Sequence, residues 1–78
     1  MKSPKFLECE KEPSLEEAQE FVDGYVELLE LDNGDCLLMN EEAKLYQNSQ
    51  VNAKATSIAS IMILGNVIHI KKKNRKDW

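Results

Sequence analysis

Apolar residues recur at Leu15, Ala18, Phe21 and Val22, with Glu16, Glu20 and Asp23 between and after them. That spacing puts one apolar stripe along a helix. Ser14-Leu15-Glu16-Glu17 is a capping box, in which the Ser14 hydroxyl takes the third helical amide and Glu17 reaches back to Ser14. The pattern predicts a helix over residues 15–23, with Gly24 as its left-handed stop. The period then changes. Residues 25–31 and 36–40 are rich in aliphatic side chains and flank Asp32-Asn33-Gly34-Asp35. Asn-Gly tolerates positive φ at both centres of a type I′ turn, so the stretch predicts a hairpin with a two-residue loop. In that register Leu31 faces Cys36, Leu29 faces Leu38 and Glu27 faces Asn40. Both faces of the ribbon are apolar, which requires cover on each side, from a helix on one and a second helix or a partner on the other.

The flanking stretches fill in the order. Phe6 to Glu10 alternates weakly and reads as a short strand, ended by Lys11-Glu12-Pro13. Asn40 to Leu45 is polar and turn-like, Leu45-Tyr46 returns to the core, and residues 47–50 form a loop. Asn52 is placed to cap a second helix over residues 53–60, with Ala55, Ile58 and Ala59 on one face. Residues 61–64 and 67–70 are aliphatic around Gly65-Asn66, which reads as a tight hairpin or, preferred, a last strand bent at the glycine. The expected fold class is α+β: a single small domain over 1–78, strand–helix–hairpin–helix–strand, with a mostly antiparallel sheet. Residues 71–78 are expected to be a flexible basic tail.

Charge is divided along the chain. Residues 8–42 hold thirteen acids and one base, while residues 43–76 hold seven bases and no acid, within a net charge of −4. Such division favours pairing between molecules or a charged partner. At 78 residues the core is close to the minimum that stands alone, so an interface adds much, and a homodimer is expected. Cys9 and Cys36 have no metal-type spacing and read as reduced, partly buried thiols. No run reaches the ~20 apolar residues of a membrane span. Residues 1–12 lack the apolar core of a signal peptide, and the expected location is the cytoplasm, that of a host if phage-encoded.

Candidate chemistry is sparse. Asn40, Glu41, Glu42 and Lys44, with Asn52 and Thr56, form the best polar set, suited to a small polar or nucleotide-like ligand. Asparagines are equally the residues of turns and caps, which would leave the acids merely solvated. Adjacent Glu41 and Glu42 point apart on a strand and make a poor acid–base pair. His69, the single histidine, lies in an aliphatic run and reads as a core or edge residue. Lys71, Lys72, Lys73, Arg75 and Lys76, followed by Trp78, suit phosphates and base stacking, or simply solubilise the end. No cofactor and no metal site is expected.

Three signatures in order carry a family resemblance. Residues 14–27, SLEEAQEFVDGYVE, look like a helix entering a Gly-Gly-Tyr-Ile-Glu strand; residues 39–45, MNEEAKL, look like an Asn-Glu-Glu-Gly-Lys-Leu segment. Asn52-Ala53-Lys54-Ala55-Thr56 and Gly65-Asn66-Val67 resemble an Asn-x-x-Ala-Thr motif and a closing Gly-Asp-Val strand. Together they resemble a small domain family of unknown function found mainly in bacteriophage genomes. Asp23 and Ala43 stand where that pattern has glycine. The resemblance implies an accessory protein that alters host physiology, with no assigned reaction. The expected function is non-enzymatic: occupying a host protein or sequestering a small polar ligand. The alternatives are a nucleic-acid contact through the basic tail, or acidic mimicry of DNA against a host nuclease by residues 8–42.

Overall fold

The structure, a computed structural model, describes residues 4–43 and 50–78. Strand β1 (Phe6–Cys9) leads to helix α1 (Leu15–Val22) and a hairpin of β2 (Val26–Glu30) and β3 (Cys36–Asn40); helix α2 (Ala53–Ala59) and strand β4 (Val67–Ile70) follow. The four strands form one sheet in the order β1-β4-β3-β2. The β4–β3 and β3–β2 pairings are antiparallel, and β1 lies parallel to β4. This is the α+β arrangement the hydrophobic pattern predicts.

Alternation of side chains across the strands divides the core in two. Cys36, Leu38, Ile68 and Ile70 point to one face and meet Ala18, with Phe21, Val26, Cys9 and Trp78 around them. Leu37 and Val67 point to the other and meet Ala55 and Ile63, with Phe6, Leu29, Leu31, Met39 and Ala59 alongside. The sheet thus lies between α1 and α2. The double-faced ribbon is covered from both sides by its own chain.

Four local expectations are revised. The hairpin pairs Leu29 with Leu37 and Glu27 with Met39, one residue from the predicted register. Gly34 N–H bonds to Leu31 O at 3.0 Å and Leu31 N–H to Asp35 O at 2.8 Å, and only Gly34 in the loop has positive φ, at 93°. This is a three-residue loop, a type I turn closed by a glycine bulge. At the end of α1 the left-handed residue is Asp23, with φ 62° and ψ 49°, one position before the predicted glycine. Residues 61–64 are not a strand arm. Ser60 ends α2 in the left-handed region, and only Ile63 of the four turns inward. Finally, residues 71–78 fold back on the body instead of trailing from it. The Trp78 indole N–H bonds to Pro13 O at 2.8 Å, and the Lys76 and Asp77 amides bond to the Glu12 carboxylate at 2.8 and 2.9 Å. The expected return of Leu45 and Tyr46 to the core lies outside the described residues.

Candidate functional site

The predicted polar set resolves into fastenings and surface. Asn40 ends β3 and is buried; its amide N–H₂ bonds to Val22 O at 3.1 Å and Asp23 O at 3.0 Å, and its Oδ1 accepts from Glu42 N at 2.7 Å. It closes the carboxyl end of α1, whose last carbonyls have no partner within the helix. Gly24 is required beside it, since a Cβ there would lie 2.7 Å from Asn40 Nδ2. Asn52, also buried, caps α2 through Oδ1 to Ala55 N at 3.2 Å and donates to Lys5 O at 3.0 Å and Gly65 O at 2.9 Å. The Thr56 hydroxyl accepts from Ile63 N at 2.9 Å and shapes the loop after α2. Glu41 and Glu42 are exposed, and Lys44 lies outside the described residues. The two asparagines and Thr56 therefore have their polar atoms committed within the fold.

Asn66 belongs with them, though the sequence marked it only as part of a bend and of the Gly-Asn-Val motif. Its Oδ1 accepts from Lys5 N at 2.9 Å and its amide donates to Phe21 O at 3.0 Å. The Asn-Glu-Glu, Asn-x-x-Ala-Thr and Gly-Asn-Val motifs thus meet at one end of the sheet as three amide pins.

The opposite end holds the titratable groups. His69 is buried on β4, with Nε2 2.9 Å from Asp35 Oδ2 and Nδ1 4.0 Å from Glu8 Oε2. An ionised carboxylate only accepts, so Nε2 carries the proton of the Asp35 bond. Nδ1 is enclosed and has no hydrogen-bond partner among the described residues. The pair has the layout of the orienting half of a triad, yet neither ring nitrogen is open to a substrate. The Lys72 amide bonds to Asp35 Oδ1 at 2.8 Å and, with His69, holds this carboxyl below its ordinary range. Lys71 pairs with Glu8 at 2.9 Å, which lowers the glutamate and raises the lysine. Among the described residues no three His, Cys, Asp or Glu side chains converge as a metal cluster. Both thiols are free, and burial pushes them up.

This cluster left no local signal. It needs the β3–β4 pairing of Leu37 with His69 and the looped register that sets Asp35 beside them.

The basic stretch is divided. Lys71 is engaged by Glu8, and the Arg75 guanidinium bonds to Gly34 O at 2.7 Å and Glu30 Oε1 at 3.2 Å. Lys72, Lys73 and Lys76 are exposed.

An apolar patch is also open to outside contact. α2 is short and its C-cap Ser60, at φ 62°, throws the chain outward. Ile58, Ile61 and Met62 are 39, 52 and 57 % exposed there. Two furrows border this shoulder. One, of about 150 Å³, contains Leu29, Met39, Ile61 and Met62 with Glu27 and Glu41 at its margin. The other, of about 430 Å³, contains Leu29, Leu31, Ile58 and Ile61 with Glu30 and Asp32. The loop bearing Ile61 and Met62 is pinned where it turns inward, because Ile63 also accepts Asn52 N–H at 2.7 Å. Comparison of the chain with family models, with curated proteins and with solved structures finds no match.

Proposed function

We propose that the protein is a non-enzymatic, phage-type accessory module that occupies a host protein through the Ile58–Ile61–Met62 shoulder. The observation that carries this is a contiguous apolar surface presented by a pinned loop. Ile61 and Met62 stand more than half exposed, where solvent contact is costly and a partner regains about 2 kcal/mol for each. The four acids at the furrow margins indicate the partner's chemistry: apolar side chains set in a basic frame. Two copies meeting through this shoulder would bring like charges together, which favours a different protein over a second copy. The small-ligand alternative is less supported, since Asn40, Asn52 and Thr56 are used within the fold.

Capture by the immobilised protein, run beside Ile61→Asp, tests the reading. A partner held by the native chain and lost by the variant, with unchanged circular dichroism, is the expected result. Equal capture by both would reject the shoulder. Mass in solution at micromolar concentration is the companion measurement: a dimer dispersed by Ile61→Asp would assign the surface to a second copy.

A further inference from the structure

The other edge of the sheet is open as well, and its chemistry differs from that of the shoulder. Among the described residues β1 is paired on one side only, with β4. Val67 N–H donates to Lys5 O at 3.0 Å, and Phe6 pairs with Val67 and Glu8 with His69 in a parallel register. In such a ladder alternate residues bond to the neighbour. The backbone groups of Lys5, Leu7 and Cys9 therefore face β4, and the N–H and C=O groups of Phe6 and Glu8 face outward. On the β4 side, Cys9 O also accepts from the Asn74 amide at 3.2 Å, and the strand ends there. The free edge is short and has definite limits.

A cleft of about 770 Å³ runs beside that edge on the α1 side. α1 packs on β2, β3 and β4, and Leu7 on β1 is left 42 % exposed. Leu7, Cys9, Phe21 and Ile68 give the cleft an apolar floor, and Glu17 and Glu20 line it from α1. The Glu17 carboxylate is used by the Ser14 amide at 2.9 Å, whereas Glu20 has no ion pair among the described residues. Lys5 and Lys11 lie along the same cleft.

We propose that this edge takes a further strand: an extended segment of a partner protein pairs with Phe6 and Glu8 and sets alternate side chains in the α1–β1 cleft. Strand addition supplies affinity through main-chain bonds and selectivity through the pockets that receive every second side chain. The partner residue opposite Leu7 points to the α1 face and meets the apolar floor. Residues two places to either side share that face, opposite Lys5 and Cys9, and a Lys or Arg opposite Cys9 reaches the acids of α1 without facing Lys5. The segment is thus an apolar residue with a base two positions away on the Cys9 side. This surface lies on the opposite face and opposite edge from the Ile58–Met62 shoulder, so either can hold without the other.

The probe is a set of capped peptides alternating Lys with Val, Leu or Phe, titrated into isotope-labelled protein and followed by amide shifts. A binding member should shift and protect the Phe6 and Glu8 amides. Methylating the peptide nitrogens that face β1 should weaken it by about tenfold. Glu20→Lys should weaken it by about fivefold. Glu20 is exposed, so that variant leaves the fold intact. Leu7→Lys, at another exposed position, should abolish it. Binding that survives nitrogen methylation but vanishes in salt is charge attraction alone and overturns the proposal, as do shifts confined to residues 26–30. Absence of binding at millimolar peptide also overturns it, since Lys5 and Lys11 then serve only to blunt the edge.

Discussion

The two ends of the sheet are fastened by different chemistry. At the start of β1 and β4, the amides of Asn40, Asn52 and Asn66 hold helix ends and strand entries, and all three are neutral. At the other end, Asp35–His69, Glu8–Lys71, Glu12 with the Lys76 and Asp77 amides, and Arg75–Glu30 tie the hairpin and residues 71–78 to β1 and β4. A neutral amide both donates and accepts, so one asparagine can satisfy an amide and two carbonyls together and is indifferent to pH. An ionised pair is screened by salt and lost when one member titrates. One end is therefore a permanent joint and the other a conditional one.

The strongest attempt to break this contrast is Asn52→Ala. It removes a cap, strands the Gly65 carbonyl and takes one of two donors from Lys5 O, at an expected cost of about 2–4 kcal/mol in denaturant unfolding. Asn52→Asp should be nearly as damaging, because a carboxylate cannot donate to Lys5 O and Gly65 O. Recovery by aspartate would show that capping alone matters. Trp78→Ala comes next. The indole packs on the Cys36, Leu38, Ile70 cluster while half-buried, so about 1–3 kcal/mol is expected, with amide protection lost first in residues 71–78.

Acid sharpens the comparison without a mutation. Asp35, Glu8 and Glu12 are all held below their ordinary values, chiefly by the Lys72 amide, the Lys71 ammonium and the Lys76 amide respectively. A carboxyl depressed in the folded state stabilises it fully above the unfolded value, here 3.8 for Asp and 4.5 for Glu, and less as pH falls through the folded value. Hydrogen exchange below pH 4 should therefore release residues 71–78 before the amides around Asn52 and Asn66. Simultaneous release would mean that the two ends form one cooperative unit. The smallest effect is expected of Glu30→Gln. This glutamate is largely exposed, and its pair with Arg75 should contribute under about 0.5 kcal/mol in thermal unfolding.

Legibility in the sequence follows the range of the interaction. The capping box of α1 and the Asn52 cap of α2 were readable because their partners are three residues away. The hairpin was readable as a hairpin but not in register. Asn33-Gly34 suits a two-residue loop and the last two positions of a bulged three-residue one equally, and the choice is tied to bonds from Lys72 and His69 to Asp35. The placement of residues 71–78 had no local sign, since Glu12 and Pro13, their anchors, are more than sixty positions away. Of the candidate site, the asparagines were found for their polarity, whereas the exposed shoulder depends on where α2 ends and which of residues 61–64 turns inward.

The side-by-side pairing of β1 with β4 has a consequence for how the chain is made. The bond between the Lys5 amide and Asn66 spans 61 positions, so β1 has no sheet neighbour until β4, made well after it, has left the ribosome. Closing so wide a loop is entropically expensive and slows folding. The helix and hairpin between them can assemble while translation continues, and the leading segment joins only afterwards, open in the meantime to proteases and chaperones.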